Sequence, residues 1–147
     1  MKRPTVLLVA LIALSILSCA TKKNFNIKTL YWTTWELEYI SGPRIAFDGL
    51  YPDKKPEISF DQTTKKVNGN NSCNGYSADY TLTDNSIFFG DPEPTTMMFC
   101  GQGENVFLSM MKKINKYSFD PDGKLNLMID DVQMMRFKKA GHQWASL

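Results

Sequence analysis

The chain has 147 residues, 43% of them apolar and 22% charged, with 17 Lys and Arg against 15 Asp and Glu. That length has room for one domain around a single core. The near balance of charge argues against nucleic acid, which needs clustered cations, and a single histidine leaves little for a zinc site or a His-activated nucleophile.

The N-terminus reads as an export signal. Lys2 and Arg3 precede an apolar run from Val6 to Leu17 in which Ser15 is the one polar residue. Such a run suits a signal peptide and is short of the roughly 20 residues that span a bilayer. It ends in Ile16-Leu17-Ser18-Cys19, which resembles the lipobox of bacterial lipoproteins. The resemblance implies cleavage after residue 18, diacylglycerol on the Cys19 sulfur and acylation of the new amino group; the alternative is an ordinary secretory signal with an incidental cysteine. Loss of Lys2 and Arg3 leaves 15 basic and 15 acidic residues, so the mature chain carries no net charge. Residues 19–29 are polar and read as a lipidated tether to the membrane.

Two cysteines remain, Cys73 and Cys100. An even pair in an exported protein reads as a disulfide. Two reduced, buried thiols are the alternative, and thiol chemistry would need His142 in the tail as its base. Alkylation of unreduced protein separates these readings, since a bridge leaves neither sulfur labelled.

Trp35, Leu37 and Tyr39 alternate with Glu36 and Glu38, the period of a half-buried strand. Residues 43–56, rich in Pro, Asp and Gly, read as a surface loop. Strands are expected at 57–61, from 66 into the irregular Asn70-Asn71-Ser72-Cys73-Asn74-Gly75, at 76–83, and at 86–90 after an Asp84-Asn85 turn. Asp91-Pro92-Glu93-Pro94 is expected to be irregular. Residues 104–116 change period: Val106, Phe107, Met110, Met111 and Ile114 share one helical face. A hairpin over 116–129, turning at Asp120-Pro121-Asp122-Gly123, and a last strand from Val132 follow, with residues 140–147 as a tail. The sum is α+β, mainly antiparallel β, with one amphipathic helix packed on a curved sheet. Asn68-Gly69 and Asn74-Gly75 suggest positive φ and bulges that bend the sheet.

Several segments together resemble the META domain, the HslJ-like group of bacterial envelope proteins. They are Trp35-Glu36-Leu37, Glu57-Ile58-Ser59-Phe60, Val67-Asn68-Gly69 leading to Cys73-Asn74-Gly75-Tyr76, and Tyr80. Thr96-Met97-Met98-Phe99-Cys100, Glu104 with Phe107, Leu125 with Leu127, and Met134 to Phe137 continue the series, so the resemblance covers about residues 30–139. Family members often carry a basic residue where Met97 stands. The resemblance implies a small, partly open barrel-like sheet with one helix and an envelope location, often as a lipoprotein. It implies no reaction; the family is associated with stress and antibiotic tolerance, and it has been likened to a lipid-binding secretin pilotin.

The methionines of the second half read first as core filler, with an adaptable apolar surface or thioether ligation of copper as alternatives. The candidate apolar binding surface is Phe88, Phe107, Met110 and Met111. Asp120 to Gly123 reads as a turn, and no catalytic residue, metal site or cofactor is expected. The expected function is a non-enzymatic, lipid-anchored envelope protein, most readily in an outer membrane. It would act as a binding or accessory module for envelope integrity or stress tolerance, with an envelope protein or an apolar small molecule as partner. A carrier of a lipid and an envelope hydrolase are the alternatives.

Overall fold

The computed structural model describes residues 27–99 and 101–141. The signal sequence, Cys19 and most of the tether, Cys100, His142 and Trp144 lie outside the described residues. Nine strands form one antiparallel sheet: β1 (Trp35–Ile40), β2 (Glu57–Phe60), β3 (Lys66–Asn70), β4 (Gly75–Thr83), β5 (Ser86–Phe89), β6 (Glu93–Pro94), β7 (Lys116–Phe119), β8 (Leu125–Ile129) and β9 (Val132–Lys139). Among the described residues three helices accompany them: α1 (Lys28–Tyr31), α2 (Phe47–Leu50) and α3 (Gln102–Met111).

The strands run in the order β3-β2-β1-β9-β8-β7-β5-β4, and β4 pairs again with β3. The expected curved, barrel-like sheet is therefore present, and it closes into a ring of eight rather than staying partly open. The two-residue β6 pairs outside that ring on β4, with Tyr76 opposite Pro94. The expectation that residues 91–94 hold no strand is corrected there: proline cannot donate to a ladder, but it can end a short edge strand.

Alternation sends Ile58 and Phe60, Val67, Tyr76, Ala78 and Tyr80, Ile87, Leu125 and Leu127, and Met135 and Phe137 into one buried core. On β1 the period breaks. Leu37 pairs with Phe137 and Tyr39 with Arg136, leaving Glu38 as the extra residue of a bulge. Trp35, Leu37 and Ile40 face inward, and Tyr39, expected inside, is exposed.

The bulge puts Glu38 between two cations. Lys124 Nζ donates to its carboxylate at 2.8 Å and Arg136 Nε at 2.6 Å. Partial burial pushes the Glu38 carboxyl up, but the hydrogen bonds from Lys124 and then Arg136, with their charges, outweigh it and hold the carboxyl below its ordinary value. A depressed carboxylate contributes stability above its unfolded pKa, and that contribution is lost as pH falls through the lower folded value. Glu38→Gln is expected to cost roughly 1 kcal/mol at pH 7, because both cations are about a third exposed and screened. In urea titrations the gap from the parent should shrink toward zero at pH 3, and a gap as large at pH 3 as at pH 7 contradicts the assignment.

Helix α3 closes one end of the barrel. Phe107 meets Tyr76 of β4 at 5.7 Å between ring centroids and Phe137 of β9 at 6.4 Å. Those strands lie on opposite walls of the ring, so one helical side chain spans the interior. The helix stops at Met111, sooner than the expected 116, and Ile114 still enters the core from the turn that follows. The helices α1 and α2 are single turns inside segments read as tether and loop; Leu30 and Leu50 are their buried anchors.

Candidate functional site

Three of the four residues expected to form an apolar binding surface are core. Phe107 and Met111 are fully buried and Met110 is 9% exposed, while Phe88 alone faces solvent at 55%. The physical reason is the closed ring. An amphipathic stripe must bury against something, and a barrel mouth buries Phe107, Met110 and Met111 almost completely.

The apolar surface lies instead in the segment between β6 and α3. Met97 is 92% exposed, Met98 65%, and Phe99 is fully exposed. Sequence reading gave these methionines to the core because hydrophobicity there carries no period. The available signal was their position between Pro92 and Pro94 on one side and Gly101 and Gly103 on the other, where regular structure cannot form.

Buried polar side chains hold this loop in place. Asn71 and Asn74, both in the β3–β4 connection, are buried. Asn74 Oδ1 accepts from Met98 N at 2.8 Å and from Thr96 Oγ1 at 3.0 Å, while its Nδ2 donates to Met98 O at 2.9 Å. Thr96 Oγ1 in turn accepts from Gly75 N at 3.0 Å. One amide thus clamps the backbone of Met98 from both sides. Asn71 Oδ1 accepts from Asn74 N at 2.8 Å and from Cys73 N at 3.3 Å, which shapes the tight turn. Glu104, in the first turn of α3, accepts from Asn71 Nδ2 at 2.6 Å and from Asn74 Nδ2 at 3.3 and 3.2 Å. The carboxylate therefore ties helix, turn and loop together, and a helix N-terminus favours a negative charge there.

Cys73 sits in this turn and is disulfide-bonded; Cys100, its expected partner, lies outside the described residues, as does Cys19. Ser72, just before Cys73, takes φ 93°, a left-handed conformation rare for a residue with a side chain. The two glycines expected to supply positive φ do not. Gly69 pairs in register with Ile58 and Tyr76 without a bulge, and its role is close approach.

Beside the loop is an open cleft of about 630 Å³, bounded by Ile45, Leu50, Pro52, Cys73, Met98 and Phe99. Its floor is rigid. Tyr51 OH donates to Gly103 O at 3.1 Å, and burial pushes the phenol up to about 12, so it stays a donor at neutral pH. A Cβ on Gly103 would lie 2.5 Å from Leu50 O, so only glycine lets α3 approach α2 this closely. The arrangement presents flexible thioethers and one aromatic ring to solvent beside a cleft of mixed lining, with Asp53, Ser72 and Gln102 among its apolar residues, which suits an apolar side chain from outside flanked by polar groups.

Several other carboxylates are engaged elsewhere. Asp131 pairs with Lys116 at 2.8 Å, and Asp130 Oδ1 accepts from Asn115 at 2.9 Å. Asp120 Oδ1 caps its own turn through Asp122 N and Lys124 N, the hairpin role expected of it. Among the described residues, no group of three His, Cys, Asp or Glu is placed to hold a metal ion.

The chain is similar in fold to two structures solved by NMR. One is a protein from Burkholderia xenovorans, 20% identical, with a TM-score of 0.59 over 78% of this chain and 86% of that one. The other is also 20% identical, with a TM-score of 0.55 over 78% of this chain and 95% of that one. No curated protein matches. The family model of the META domain matches residues 28–142, which takes in the clamped loop, the plugging helix and the whole ring, and the chain belongs to the META domain family.

Proposed function

We propose that this META domain protein is a lipid-anchored, non-catalytic binding module of the bacterial envelope, held in an outer membrane through Cys19 and acting in envelope integrity or stress tolerance. Its working surface is the loop Met97-Met98-Phe99 with the cleft beside it, and its partner is an apolar segment of another envelope protein. The observation that carries this reading is the clamp: buried Asn71 and Asn74, with half-buried Glu104, fix a loop whose three apolar side chains face water. Exposed apolar side chains on a fixed backbone lower the entropy lost on docking. The export signal, the Ile16 to Cys19 segment and the zero charge of the mature chain support the location. Cys100 is the natural partner of Cys73, since it directly follows Phe99 at the cleft and leaves Cys19 to the lipid. The filled barrel weighs against a lipid carried inside, because Phe107 occupies the space between β4 and β9.

A photoreactive phenylalanine analogue at position 99, irradiated in intact cells, tests the surface. The expected product is one discrete protein adduct, lost on Met97→Ser with Met98→Ser, variants expected to change stability by less than about 1 kcal/mol because Met97 is 92% and Met98 65% exposed. Adducts to lipid alone, or a protein adduct indifferent to those substitutions, overturn the assignment. The mass of the native chain checks the anchor: an acylated N-terminal Cys19 is expected, and a free Met1 rules it out.

A further inference from the structure

A second cleft, of about 440 Å³, lies at the other end of the β2–β3 pair, where Trp32 and Tyr31 of α1 face Ser59, Asp61, Gln62 and Asn68. Trp32 is 86% exposed, an unusual position for the largest apolar side chain in a chain that buries Trp35 completely. Its backbone is fixed as the cap of α1, with its N–H donating to Lys28 O at 3.3 Å. Leu30 roots that turn in the core, and Trp35 Nε1 donates to Leu30 O at 3.2 Å.

The opposite wall is just as settled. Ser59 and Asn68 are register partners on β2 and β3. Ile58, Phe60 and Val67 point inward, so alternation turns Ser59 and Asn68 out toward the cleft. Ser59 Oγ donates to Asn68 O at 3.1 Å, which leaves the Asn68 amide pointing outward with both donor and acceptor. Asp61 Oδ1 accepts from Thr63 N at 2.8 Å and Thr64 N at 3.0 Å, and Tyr80 OH donates to Asp61 O at 3.0 Å. The turn is thereby bound to the barrel wall.

We propose that this cleft binds a neutral saccharide, one pyranose ring lying on the face of Trp32. An aromatic face carries the negative lobe of the ring quadrupole and attracts the polarised C–H face of a sugar. The rim supplies what the sugar hydroxyls and amides need: the Asn68 and Gln62 amides, the Ser59 hydroxyl and the Asp61 carboxylate. Among the described residues, no cation lines the cleft and one carboxylate does, which disfavours phosphates and other anions. A wholly apolar ligand would bury those amides without partners. The site lies on the far side of the hairpin from the clamped loop and stands independently of it.

The test is an NMR titration of the full-length chain with two neutral probes, the β-linked tetramer of N-acetylglucosamine and the α-linked tetramer of glucose. Saturable shifts are expected for at least one probe at the Trp32 indole and at the amides of residues 62, 63 and 68. Trp32→Ala should weaken that binding by about tenfold or more, corresponding to about 1.4 kcal/mol, Trp32→Phe should restore part of it, and Asn68→Ala should weaken it several-fold. Val132→Ser, an exposed residue outside both clefts, should leave it unchanged. No saturable shift with either probe overturns the proposal. So does binding that survives Trp32→Ala.

Discussion

Asn74→Ala should lower the stability of the domain by roughly 3 kcal/mol, and do so through hydrogen bonds rather than volume. The substitution removes the acceptor of Met98 N and Thr96 Oγ1 and the donor to Met98 O and Glu104. Each buried polar group left without a partner costs about 1–3 kcal/mol. The Met98 backbone can recover part of that from water, since its loop is at the surface, which keeps the total near the middle of the range. In urea, with a slope of about 1–3 kcal/mol per molar for a small domain, the midpoint should fall by at least about 1 M with the slope unchanged. Asn74→Asp should rescue nothing at neutral pH: it keeps the acceptor but sets a second carboxylate beside Glu104, where Nδ2 now lies 3.2 Å from Oε2. A loss below about 1 kcal/mol for the alanine variant would mean that the clamp contributes little and that the loop is held by something else.

Gly69→Ala should be at least as damaging, by about 3 kcal/mol or more, and its sign is diagnostic. Glycine in a strand interior ordinarily weakens it relative to alanine by about 0.5–1 kcal/mol. At position 69 the new methyl would run into the carbonyl oxygen of Glu57, with the Glu57 carbonyl carbon at 2.9 Å and the Ile58 Cα at 3.1 Å. All three are backbone atoms, so no rotamer relieves the contact. The β2 strand must retreat, and the pairing of Glu57 with Asn70 and Ile58 with Gly69 goes with it. Overpacking of this kind typically costs 1–3 kcal/mol, more where the backbone cannot give. For a domain of this size the melting temperature should drop by more than about 10 °C. A neutral or stabilised variant would show that β2 and β3 stand farther apart here. Gly75 makes the natural contrast, because its added methyl would meet the side-chain hydroxyl of Thr95, which can turn away.

The strands were legible because half-burial writes a period of two into β2, β3, β4 and β9, and the helix because Phe107, Met110, Met111 and Ile114 recur at helical spacing. What spacing could not supply is what covers the stripe. A helix plugging a closed ring and a helix lying on an open sheet have the same pattern, so spacing admits Phe107, Met110 and Met111 as a candidate binding surface although all three are core. The bulge at Glu38 was hidden for a related reason: Trp35, Leu37 and Tyr39 fit the period perfectly, and a one-residue insertion that turns Tyr39 out and Ile40 in is set by pairing with β9. The turns α1 and α2 are too short for any period to register. Of the candidate site, the Asn70 to Gly75 segment stands out at once; Gly69 just before it stands out for the wrong reason, since crowding rather than φ demands glycine there. The exposed Met97 to Phe99 loop was missed because apolar residues without a period default to the interior.

The ring of eight strands has one further consequence. Each of its members has a pairing neighbour on both sides, the shortest seam being the one between β5 and β7 at Ser86 and Lys116, so a second molecule finds little open ladder to extend. The short overhang on β4 ends in Glu93 and Pro94, a charge and a residue with no N–H to offer. Copies crowded on a surface at high local concentration are thus protected from fibril seeding by their own topology, and the greasy loop beside Phe99 can stay uncovered without recruiting strand-to-strand polymerisation.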